Sequence, residues 1–250
     1  MLALYRALSA ELLKTKRTLA FWLTLLAPWP IILLALINFM QNYEWLKREE
    51  LWPTLIHNVF VLWNLLMQPL FITLETGLLN ALEHNHKMWK QLYALPVPRW
   101  AMYASKQIVA LGLIGLSNIA LAAMTVGVGL LIRALRPHLS FSAPIPWAPL
   151  AQSAVLGYLA AGLILSLHLW VSARWPSFVA AMGAGIVMTV AGVVVISSDW
   201  AKVYPWTLPW WVVKGNLQGE TIAASLVLGL VGGLVIALAG GWEVARRDVL

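Results

Sequence analysis

The chain has 250 residues, of which 61% are hydrophobic and only 11% charged, where a soluble domain has about 25% charged residues. An ordinary soluble globule is therefore excluded, because this much apolar surface must meet something other than water. Cysteine is absent, which removes disulfides, thiolate metal sites and a cysteine nucleophile, and the net charge of +7 is better explained by membrane topology than by nucleic acid.

Residues 1–18 come first in chain order. Leu4, Tyr5, Leu8 and Leu12 recur at helical spacing, while Arg6, Glu11 and Lys14 fall elsewhere on the wheel. That pattern predicts a helix lying flat in the membrane interface, apolar face down. The basic start followed by a long apolar run without a small-x-small site is expected to be a retained first span rather than a cleaved signal.

A bilayer core about 30 Å thick needs roughly 20 helical residues. Six apolar runs reach that length, at about 19–40, 53–82, 100–133, 148–172, 177–197 and 221–242. They predict an all-α polytopic membrane protein forming one domain over 1–250, since backbone polar groups inside lipid must be satisfied within helices. Pro28 and Pro30 in the first run and Pro69 in the second are expected to bend their helices, because proline removes an i−4 hydrogen bond. Residues 199–220 are too broken by Pro205 and Pro209 to span, and are expected to dip into the interface on the outer face.

Placing the amino terminus inside puts eleven of the 17 Lys and Arg residues on the inner face. These are Arg6, Lys14, Lys16, Arg17, Lys87, Lys90, Arg99, Lys106, Arg174, Arg246 and Arg247. The outer face then holds Lys47, Arg48, Arg133, Arg136, Lys202 and Lys214. Six spans return the carboxyl terminus to the cytoplasm. Of the 15 tryptophans, most fall at predicted span ends, among them Trp45, Trp52, Trp100, Trp147, Trp206, Trp210, Trp211 and Trp242, where an indole at the headgroup level is expected.

Several chemistries are missing. The sequence has no Gly-x4-Gly-Lys-Ser/Thr loop, no Gly-x-Gly-x-x-Gly after a strand and no His-Glu-x-x-His. No nucleotide, metal or catalytic site is expected on this chain. His84 and His86, at i and i+2, point to different helix faces and lack further ligands. His168 lies well inside an apolar run and reads as a core or pore-lining group. Glu75 is the carboxylate within a predicted span, and it must face protein, water or a cation, or else sit near the headgroups.

Between the second and third runs lies "EHNHKMWKQLYALPVPRW", residues 83–100. Glu83, Lys87 and Lys90 are i, i+4 and i, i+3 neighbours that favour a short helix. Trp89, Leu92, Tyr93 and Leu95 supply apolar anchors, and Pro96 and Pro98 end it. A compact helix held between two long spans on the inner face can transmit a push. An ordinary basic inner loop would carry the same charges.

"ALEHNHKMWKQLYALPVPRWAMYASKQ" resembles the Glu-His, Trp-Lys-x-Leu, Leu-Pro-Val, Arg, Tyr-x-x-Lys pattern of ATP-binding-cassette permeases of the type-2 exporter class, nearest the lantibiotic and bacitracin immunity group. The amino-terminal "ALSAELLKTKRTLAFWLTLLAP" is similar to that class's Glu-x-x-Lys segment before span 1. The resemblance implies that residues 1–18 form an interfacial connecting helix and that 83–98 form a coupling helix docking on a separate ATPase. Glu83, Trp89, Lys90, Leu92 and Pro96 are its expected interface residues. It also implies two cytoplasmic ATPase subunits holding ATP and Mg, a second permease copy or paralogue, and an amphipathic cargo such as an antimicrobial peptide or a lipid, all at a bacterial inner membrane. Competing readings are a non-transporting scaffold or sensor partner, an intramembrane hydrolase and a secondary transporter.

Overall fold

The computed structural model describes residues 2–16, 18–41, 50–85, 97–137, 141, 143–175, 177–214 and 219–246, the side chains of 82–85 and 219–220 excepted. Among these residues every regular element is helical. Six helical segments are long and apolar enough to cross a membrane: Leu19–Gln41, Leu51–Ala81, Arg99–Leu135, Trp147–Arg174, Phe178–Val195 and Thr221–Arg246, hereafter spans 1 to 6. The protein is an all-α, multi-pass membrane protein with an additional amino-terminal helix, Leu2–Thr15. Arg17, Trp45, Lys47, Arg48, His86, Lys87 and Arg247 lie outside the described residues.

The spans depart from plain rods where local chemistry dictates. Span 1 breaks between Leu26 and Trp29, at Pro28, which has no N–H to donate to the preceding turn. Span 2 widens into a π turn at Trp63–Met67, immediately before Pro69, where the missing N–H leaves a carbonyl to be accommodated. Span 4 breaks at Ala161 without any proline, and span 6 has a π turn at Leu228–Gly232. Those two irregularities face each other. A Cβ on Gly229 would lie 2.7 Å from the Ala160 backbone, and one on Gly233 would lie 2.7 Å from the Gly162 carbonyl carbon. The two backbones cross nearly in contact, the arrangement that small residues four apart permit in membranes.

Span 2 is the most buried and packs against spans 3, 4 and 5. Spans 5 and 6 present Val187, Val194, Leu234 and Leu238 outward, as lipid-facing helices do. The amino-terminal helix lies on span 3 through a stripe of Ala7, Glu11 and Thr15, leaving Leu2, Tyr5, Leu12 and Leu13 outward. The predicted interfacial pattern is therefore present, but its inward face contains a charge.

Residues 199–213 differ from the expected surface dip. Two 3-10 turns, Asp199–Lys202 and Pro205–Thr207, lead into a short helix, Leu208–Val213, and every residue from Trp206 to Val213 is buried. The segment re-enters the bundle among spans 2, 4 and 5, and the Trp206 ring meets His168 edge-on at 5.4 Å. The Thr207 hydroxyl and the Trp211 indole N–H both donate to the Ala201 carbonyl, so the irregular backbone is satisfied internally. Trp100, Trp147 and Trp242 are exposed at span ends, whereas Trp52, Trp206, Trp210 and Trp211, also expected at the headgroup level, are buried in the core. Trp52 packs edge-on against Phe141 and fills the space over Gly129.

Candidate functional site

Both ends of the stretch between spans 2 and 3 are defined. The helix of span 2 continues to Asn85, one and a half turns past Leu79, and the next helix starts at Arg99. Pro98 stands at its amino-terminal cap, its carbonyl accepting from the Ala101 and Met102 N–H groups. Glu83 lies on the last turn of the span 2 helix, with its side chain undescribed, while Trp89, Lys90, Leu92 and Pro96 lie outside the described residues.

The two ends are held together by one buried cation. Lys106 Nζ, about two turns into span 3, donates to the Leu79 carbonyl at 2.7 Å and to Glu11 Oε1 at 2.7 Å. The second Glu11 oxygen accepts from Lys14 at 3.2 Å. The Lys106 and Glu11 side chains are only 5% and 6% exposed, so this is a buried ion pair whose carboxylate oxygens are both satisfied. Burial pulls the Glu11 carboxyl upward, but Lys106 and then Lys14 outweigh it and hold the group below its ordinary value of 4.5. The amino-terminal helix, the end of span 2 and the start of span 3 thus meet at a single node.

The node joins two motifs that the sequence placed in separate elements, Glu11-x-x-Lys14 and Tyr103-x-x-Lys106. Sequence reasoning did not pair them. The available signal was the stripe Ala7, Glu11, Thr15, in which two small residues flank a charge at i−4 and i+4 and allow close helix packing. On the same face Tyr103 packs against Leu169, Ala173 and Val244. Trp170 and Arg174 at the end of span 4 both donate to the carboxylate of Glu243 on span 6.

A polar seam runs through the centre of the bundle along span 2. Gln68 donates to the Gly157 carbonyl of span 4, and Asn80 donates to Ser172 Oγ of the same span. Trp63 donates to Asn118 of span 3. Glu75 is fully buried in this stretch, and neither carboxylate oxygen has a hydrogen-bond partner among the described residues. His168 is buried beside Thr73 and Gly185, and neither ring nitrogen has a hydrogen-bond partner among the described residues. A Cβ on Gly185 would lie 2.2 Å from Thr73 Cγ2, so spans 2, 4 and 5 close tightly there. Glu75 is buried inside the bundle and not on its surface. Buried polar groups are normally paired with protein or with water.

The sequence profile of the family described as ABC-2 family transporter protein matches residues 7–192. The chain belongs to the ABC-2 transporter family. The matched region runs from the first turns of the amino-terminal helix into span 5, and so includes Glu11, Glu75, residues 83–98, Lys106 and His168. An ABC-2 permease is the membrane subunit of an ABC transporter, and it works with ABC ATPase partners that carry the nucleotide chemistry. No curated protein and no solved structure matches the chain.

Proposed function

We propose that this ABC-2 permease is the membrane half of an ATP-driven exporter in a bacterial inner membrane. Both termini are cytoplasmic, and two permeases work with two ATPases. Residues 83–98 are the lever on which the ATPase pushes, with Glu83, Trp89, Lys90, Leu92 and Pro96 forming its contact surface. The observation that carries this reading is the Lys106 node: the same cation grips Leu79 before the segment and sits in the helix that follows it, so a displacement of the segment must pass into both spans and the amino-terminal helix together. The cargo is amphipathic, and the resemblance at 81–107 favours the immunity permeases of lantibiotic and bacitracin type. Coupling requires that cargo bind the two access states unequally.

In this reading Glu75 and the seam around it become the wall of the transport path when the spans part, which accounts for a carboxylate with no partner in the closed bundle. Trp89→Ala with Leu92→Ala is expected to lower co-purification of the ATPase from detergent extracts. Unchanged association together with unchanged transport would refute the lever.

A further inference from the structure

An open groove of about 400 Å³ lies between the start of span 3 and the end of span 6, lined by Trp100, Tyr103, Gln107, Leu238, Gly241 and Trp242. A second hollow, of about 340 Å³, lies on the other side of Trp242, between spans 4 and 6. We propose that the groove between spans 3 and 6 holds one acyl chain of an anionic glycerophospholipid, with the lipid phosphate over Arg246. The proposal rests on the reading that this face of the bundle is the cytoplasmic one.

Depth, shape and charge all favour that occupant. Trp100 and Trp242, 47% and 60% exposed, flank the groove at the ends of their spans, where indoles mark the headgroup level. Beyond them the groove runs along Ile108, Ala237 and Leu238, an apolar wall that matches hydrocarbon. The Tyr103 ring lines the groove between these levels, beside Gly241. Arg246 follows the lining residue Ala245, and its exposed guanidinium lies 4.2 Å from the ring centroid of Trp242, which also lines the groove. Basic residues at the cytoplasmic ends of spans attract anionic lipid headgroups.

The test uses the full chain in vesicles of phosphatidylcholine containing a minor fraction of phosphatidylglycerol, either lipid carrying a photoactivatable group in its acyl chain. Mass spectrometry of the labelled peptides is expected to show phosphatidylglycerol enriched several-fold over phosphatidylcholine on residues 100–108 and 237–245. Arg246→Ala should abolish the enrichment while leaving chain labelling, and Ala237→Phe should reduce labelling by both lipids. Ile119→Phe, at a lipid-facing position elsewhere on span 3, should change neither. Equal labelling by the two lipids would overturn the proposal, leaving only the lipid shell of any membrane protein. Disulfide-linked dimers from Leu238→Cys, in a chain that has no other cysteine, would overturn it in favour of a second copy.

Discussion

Lys106 illustrates how much one side chain controls in this protein. It satisfies Glu11, closes on the Leu79 carbonyl and is itself almost fully enclosed. Lys106→Met would leave a carboxylate buried with only the half-exposed Lys14 beside it, and removing one partner of a buried pair typically destabilises by about 3–5 kcal/mol. Thermal unfolding in detergent should show that loss. The double variant Glu11→Leu with Lys106→Met should recover most of the stability, because no buried charge is then left unpaired and Lys14 still reaches solvent. The same pair sets a pH dependence. The Glu11 carboxyl is depressed in the folded protein, so the unfolded chain binds the proton first as pH falls. The contribution is therefore complete above 4.5 and disappears as pH drops through the lower folded value, and Glu11→Gln should flatten the stability curve in that acid range. Glu75 behaves oppositely. It has no hydrogen-bond partner to lose among the described residues, so Glu75→Leu should raise thermal stability by about 1–3 kcal/mol and, on the proposed reading, impair transport.

At the scale of elements, the closest approach is between the broken middle of span 4 and the π turn of span 6. Gly229→Leu would drive a side chain into the Ala160 backbone, where nothing flexible can yield, and should cost at least about 1–3 kcal/mol in thermal unfolding. Gly127→Ala in span 3, where a Cβ meets nothing within 4 Å, should be neutral or stabilising by about 0.5–1 kcal/mol. The contrast also shows what the sequence could and could not convey. Six apolar runs were legible because lipid imposes length and composition on each span independently of its neighbours, and Pro28 and Pro69 announced their irregularities through a missing N–H. The break at Ala161 and the π turn at Leu228–Gly232 arise from the pairing of two distant spans, which no local pattern encodes. Residues 199–213 were recognised as non-spanning from Pro205 and Pro209. Their burial was not, because tryptophan suits a headgroup interface and a bundle core equally well.

For the whole molecule, the segment at 83–98 stands out in the sequence as an interruption of charge and proline between apolar runs. Its supports were not found, because Glu11 and Lys106 are 95 residues apart and meet only in the folded bundle. That architecture ties the amino-terminal helix and spans 2 and 3 together at one corner of the permease. It also gives a tightly packed centre around Glu75, Thr73 and His168, which on the proposed function is where the spans part. The central claim is that energy enters through the segment between spans 2 and 3 from the cytoplasmic side. The most direct measurement exploits the absence of cysteine: Met88→Cys provides a single thiol within that segment. With a membrane-impermeant maleimide, the account predicts no labelling in intact cells, labelling in inverted membrane vesicles, and protection there when the ATPase partner is bound. Labelling of intact cells would put the segment on the outer side of the membrane, out of reach of any ATPase, and would contradict the account.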